Sequence, residues 1–171
     1  MKLKIPVSIA IIYIVVASVI GEETAPLPHR EVALKNPPCV RMHRCIEKYS
    51  EEFRIPKSIA YGVAYHETRY QGALHWDYDH RKLSGAGALG PMQVMYSTAK
   101  WLFPKENFSR EDLKNDIDFN VKCSMKLLRN LHDKYKDWKK ALGAYNTGRP
   151  VVNTYANSVY NFNSGIDASG K

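Results

Sequence analysis

The longest regular stretch of this chain begins at Asp116 or Asp118 and limits what the rest can be. Ile117, Val121, Met125, Leu128 and Leu131 recur at the helical period over about four turns, while Lys122, Lys126, Arg129 and Lys136 fall elsewhere. A helix with one long apolar stripe gets its stability from what it packs against, so other elements must lie along that stripe. The candidates are also helical. Met42, Cys45, Ile46, Tyr49 and Phe53 share one face of a helix from about Val40 to Phe53. Trp138, Ala141, Leu142 and Tyr145 form another face, which Gly148 and Pro150 end, and a last helix runs from about Val151 to Phe162. Ser97 reads as the cap of a short helix through Trp101 and Phe103. Strand signals are scarce, so the predicted fold class is mainly α, with one compact helical domain.

One helix breaks the apolar pattern. Pro56 suits a first turn, and Ile59, Ala60, Val63 and Ala64 follow on one face. The next position on that face is Glu67. A buried acid is costly unless it is paired or useful. The positions three and four away are Val63, Ala64, Tyr70 and Gln71, so its own helix provides no basic partner and a functional role is favoured over a helical ion pair. His66-Glu67 also opens the H-E-x-x-H pattern of zinc proteases, but Tyr70 stands where the second histidine belongs. No metal ligand or cofactor is therefore assigned.

Beyond Tyr70 the periodicity stops. Gln71 to Leu89 holds Gly72, Asp77, Asp79, Gly85 and Gly87 and reads as a long loop leading into Gly90-Pro91-Met92-Gln93. Long irregular loops in compact domains are commonly functional.

The two ends read differently from the centre. Lys2 and Lys4, then an almost wholly apolar run from Pro6 to Ile20, with small residues at Ser18 and Gly21, have the layout of an export signal over residues 1–21. Residues 22–38 carry four prolines and read as an extended leader, residues 39–162 as the domain and residues 163–171 as a polar tail. Without the signal the formal charge falls from +8 to +6, since two lysines leave with it. That excess attracts polyanions, but the basic residues are scattered through the helices rather than interleaved with aromatics, which argues against nucleic acid. Export permits a disulfide among Cys39, Cys45 and Cys123. Cys39 with Cys45 would close a short loop, Cys45 with Cys123 would tie two helices, and the longer bridge is favoured.

Four segments occur in order: Glu67-Thr68, Gly90-Pro91-Met92-Gln93, Asp118-Phe119-Asn120-Val121 and Ala144-Tyr145-Asn146-Thr147-Gly148. Together, from about Val40 to Phe162, they resemble the soluble type of lytic transglycosylase, and most of all its small single-domain members. The resemblance implies a lysozyme-like helical domain with a long loop bordering the substrate cleft. It further implies cleavage of the β-1,4 bond between N-acetylmuramic acid and N-acetylglucosamine in peptidoglycan, leaving a 1,6-anhydromuramoyl end. Glu67 matches the catalytic acid, Tyr145 the tyrosine whose hydroxyl helps position it, and Asn146 the polar residue beside it. Met92 and Gln93 match the loop that lines the sugar subsites, and Thr68 stands for the usual serine. Pro91 stands for leucine, which removes an N–H and fixes φ. The implied setting is periplasmic or extracellular, as a monomer acting on the cell wall, in some members beside a secretion or conjugation apparatus.

Three rivals are set against this. A goose-type lysozyme shares the fold but needs a second carboxylate, for which Asp77 and Asp79 are the candidates. A wall-binding module would hold glycan without turnover. A metalloprotease is the most distant.

Overall fold

The computed structural model describes residues 36–162. The expected export signal, most of the leader and the polar tail lie outside the described residues. The architecture is mainly α, as the sequence predicts: seven helices and one short hairpin are formed among the described residues.

Helix α1 spans Pro38–Glu52, with Pro37 at its cap and a proline in the first turn, where no N–H is missed. It therefore starts within the stretch expected to be leader. Its buried face is Cys39, Met42, Cys45, Ile46 and Tyr49. Helix α2, Lys57–Thr68, is buried continuously from Ile59 to Ala64, so it runs through the middle of the protein rather than over it. Helix α5, Ile117–Tyr135, is the 19-residue wall, capped by the Asp116 side chain accepting from Phe119 N at 3.2 Å. Helix α1, helix α6 (Trp138–Thr147) and the short helices α3 (Tyr96–Leu102) and α4 (Arg110–Asn115) pack along it. Helix α7, Thr154–Tyr160, packs on α2 and α6.

Strands β1, Ala88–Leu89, and β2, Val94–Met95, pair antiparallel with Ala88 opposite Met95 and Leu89 opposite Val94. Leu83 adds an isolated bridge to Leu89. The turn between the strands is therefore Gly90-Pro91-Met92-Gln93.

Two expectations are corrected. The cysteines form no bridge: all three are free and buried, and the Cys45 thiol faces Asp118 Oδ1 at 3.7 Å. Ser97 is not a cap, because α3 begins one residue earlier, at Tyr96, with Met95 in the cap position and no side-chain cap bond. Helix α4 and the hairpin lack the length that gives a periodic signal; α4 is announced only by its capping box, Ser109 and Asp112 each bonding the other's main-chain N–H.

Candidate active site

Glu67 sits one residue before the end of α2, half-buried. The helix stops there because Arg69 turns left-handed (φ 60°) and returns its N–H to Tyr65 O at 2.8 Å. Thr68 then fastens the following segments to the helix end. Its hydroxyl lies 2.9 Å from Pro91 O and 3.2 Å from Ala64 O, either of which can take its one proton, while the Tyr78 hydroxyl donates to it at 2.8 Å.

The carboxylate itself has a partner from far along the chain. Tyr155 Oη donates to Glu67 Oε1 at 2.7 Å. Gly62 permits this approach: a Cβ there would meet Val159 O at 2.9 Å, so the backbones of α2 and α7 pack closer than any side chain allows. Burial raises the Glu67 pKa above the ordinary carboxylate range, and the Tyr155 bond and the Lys82 charge oppose that rise without cancelling it. Tyr155 is pushed well above the usual phenol value by its own burial first and by the neighbouring carboxylate second. It stays a neutral donor across the working pH range.

The Gly90–Gln93 turn is held from α5. Asn120, wholly buried, accepts from Met92 N at 2.9 Å and donates to Leu89 O and Leu113 O, both at 2.8 Å. Gly90 has φ +73°, and a Cβ on it would stand 2.5 Å from Asn120 Nδ2. One turn further along α5, Ser124 bonds the Tyr145 hydroxyl at 2.9 Å, and Tyr145 donates to Met92 O at 2.6 Å. Both polar ends of Met92 are thus fixed by α5, one directly and one through α6.

A family model described as Transglycosylase SLT domain matches residues 44–166. The chain belongs to that family. Its fold recurs in the 70-kDa soluble lytic transglycosylase of Escherichia coli, with 22% identity over 68% of this chain and a TM-score of 0.54. The same figures hold for a complex of the 70-kDa soluble lytic transglycosylase with bulgecin A. An inactive mutant of the lytic transglycosylase Slt from Pseudomonas aeruginosa matches with 24% identity over 61% of this chain, at a TM-score of 0.50. The chain spans less than a fifth of those proteins, 16% of the Pseudomonas one and 18% of the other two. No match is found among curated proteins.

Against the transglycosylase pattern, the residues sort into those brought to the acid and those that build the frame. Tyr145 was expected to position the acid, but its hydroxyl is committed to Ser124 and Met92, and the hydroxyl on Glu67 is that of Tyr155. The reason lies in packing. Tyr145 is on α6, facing α5, whereas α7 lies directly across α2. The Glu67 charge still reaches Tyr145, adding to the burial that raises its pKa.

Met92, matched to the loop that lines the sugar subsites, has its side chain wholly buried, because Asn120 holds the turn with that side chain inward; the methionine the hairpin exposes is Met95, at 41%. Gln93, left-handed at φ 51°, donates from Nε2 to Gly90 O at 2.9 Å and to Lys82 O at 3.2 Å, which closes the turn. Asn146 is exposed and accepts from Asn153 Nδ2 at 3.2 Å, just ahead of the residue that starts α7. Tyr155 was missed because it stands outside the four segments, in a short helix with no motif of its own.

Asp77 and Asp79 are turned to solvent. Asp77 keeps 94% of its side-chain exposure, with His75 Nε2 at 3.4 Å, and Asp79 pairs with Arg81 Nε at 3.1 Å. Neither is among the groups acting on Glu67.

Proposed function

We propose that the chain is a peptidoglycan lytic transglycosylase cleaving the β-1,4 bond between N-acetylmuramic acid and N-acetylglucosamine. The observation that carries the reading is the environment of Glu67, a half-buried acid with a raised pKa, one tyrosine donor on Oε1 and no second carboxylate among the groups acting on it. Such a group holds a proton at neutral pH more readily than an ordinary carboxyl, and Oε2 remains for the substrate. It gives that proton to the glycosidic oxygen as the bond to C1 breaks. The resulting carboxylate takes the proton of the muramoyl C6 hydroxyl as that oxygen closes onto C1. The acid is restored, no water enters, and the product carries a 1,6-anhydro ring.

Tyr155 holds Oε1 through both steps and stabilises the carboxylate between them. Thr68 acts one residue away by fixing Pro91 and Tyr78 to the helix end. Gln93, Asn146 and the exposed Met95 are the side chains this reading leaves for sugar contacts at the rim. The solvent-facing positions of Asp77 and Asp79 favour the lyase over a lysozyme, which requires a carboxylate on the far side of the sugar. Family membership supports the cell wall as the place of action. Export through residues 1–21, a monomeric state and service beside a secretion or conjugation apparatus belong to the same proposal. Among the described residues no helix is long and apolar enough to cross a membrane.

Mass spectrometry of sugars released from purified peptidoglycan tests the reaction. Products lighter than hydrolysed ones by about 18 Da, one water, and absent with Glu67→Gln are expected. Reducing ends that carry the water would make the protein a lysozyme.

A further inference from the structure

The loop between α2 and the hairpin carries a charge to which the acid-and-base reading of Glu67 gives no task. Lys82 is exposed, yet both of its ends are engaged. Its carbonyl oxygen accepts from Gly90 N at 2.9 Å and from Gln93 Nε2 at 3.2 Å. Its ammonium donates to the main-chain oxygen of Glu67. That oxygen belongs to the last turn of α2, where carbonyls lack intrahelical donors and a cation is favoured by the helix dipole. Ordering a four-carbon stem costs side-chain entropy, which the bond from the ammonium to the Glu67 carbonyl oxygen offsets.

The groups around Glu67 come from four elements. Tyr155 of α7 donates to the carboxylate, and the Tyr145 hydroxyl of α6 feels its charge. On α2 itself His66 precedes it, with its pKa lowered by burial first and by Arg69 second. The loop contributes Lys82, the cation that acts on Glu67. In one turnover Glu67 must pass from neutral acid to carboxylate and back. Burial favours the first form, and Tyr155 and Lys82 favour the second.

We propose that Lys82 is a positioning residue of the reaction: it fastens the helix end bearing Glu67 to the Gly90–Gln93 turn and supplies the positive charge that receives Glu67 as a carboxylate. The inference rests on the reading of Glu67 as acid and base, and its test separates the two. In the full-length protein the Glu67 carboxyl is titrated by carbon-13 NMR, assigned with Glu67→Gln, for the wild type, Lys82→Met and Lys82→Arg. The pH profile of anhydro-sugar release is recorded alongside.

Loss of the cation disfavours the carboxylate, so Glu67 in Lys82→Met titrates at higher pH. The alkaline limb of the profile, which reports loss of the acid's proton, moves upward with it. Lys82→Arg restores both. An unmoved titration and an unmoved limb in Lys82→Met would overturn the proposal, whatever happens to the melting temperature, because a tie that only held the loop would change stability and leave Glu67 alone. The NMR titration needs no turnover. A wild-type protein that releases no anhydro sugars would thus sink the reaction while the charge effect of Lys82 is still judged.

Discussion

Helix α5 and the segment from Arg69 to Met95 meet at the same turn but are ordered by opposite means. On α5, Ile117, Val121, Met125 and Leu128 are wholly buried, and each contributes apolar area that depends little on which neighbour supplies it. The loop and hairpin bury Tyr70, Tyr78, Leu89, Met92 and Val94, but at irregular spacing and over a longer segment with little regular backbone pairing. They are held by individual polar ties: Tyr78 to Thr68, Lys82 to Glu67, and above all Asn120 and Ser124, one helical turn apart, fixing Met92 from both ends. Apolar burial is cumulative and forgiving. A buried polar tie is specific, and breaking it leaves groups with nothing to bond.

The difference is exposed most sharply by substitutions that keep shape. Asn120→Asp retains the outline and the acceptor for Met92 N, but turns an oxygen toward the carbonyls of Leu89 and Leu113. It is expected to lower stability by roughly 3–5 kcal/mol, from two lost bonds and a buried charge facing two acceptors. Leu128→Met keeps the chemistry and approximate volume of a wholly buried position and should cost less than about 1.5 kcal/mol. Urea unfolding at neutral pH measures both. Equal costs would erase the distinction between the two regions.

The two tyrosines bring the same contrast into the site. Tyr155→Phe removes the donor on Glu67 and should reduce turnover by roughly 100- to 1,000-fold, as loss of one charge-stabilising donor does, with little loss of stability. Tyr145→Phe leaves Met92 O without its donor and should cost about 2 kcal/mol in unfolding while turnover falls only a few-fold. Sugar-release rates and melting curves on both variants decide it. A Tyr145→Phe defect confined to turnover would return Tyr145 to the acid.

What could be read from the sequence follows the same line. The stripe of α5, the face of α1 and the acid on α2 announce themselves because burial repeats with the helical period, and those signals are local. The Asp118-Phe119-Asn120-Val121 segment was visible as a motif, but the three bonds of Asn120 reach residues 7 to 31 positions away and carry no periodic mark. Tyr155 lies 88 residues from Glu67, and only Gly62, a residue without a side chain, hints that another helix crosses there. The burial of Met92 carries no local mark either, since it is set by Asn120, 28 positions away, whose side chain holds the turn.

The smallest effect concerns Glu67 as a burden on the fold. Burial raises its pKa above the value of the unfolded chain, about 4.3. Between the two values the folded protein keeps a proton that the unfolded chain has already released, so stability falls as pH rises through that window. The cost is complete above the folded value and absent below the unfolded one. Glu67→Gln removes the titration and keeps an oxygen to accept from Tyr155. Its melting temperature should therefore exceed that of the wild type near about pH 7 and converge with it as the pH approaches about 4. Lys82, by favouring the carboxylate, reduces this cost, so the gap between the glutamate and glutamine proteins should widen when Lys82→Met is added to both. A gap that stays constant with pH would mean that Glu67 is solvated like any surface acid. Its resting proton would then have to come from the substrate complex rather than from the fold.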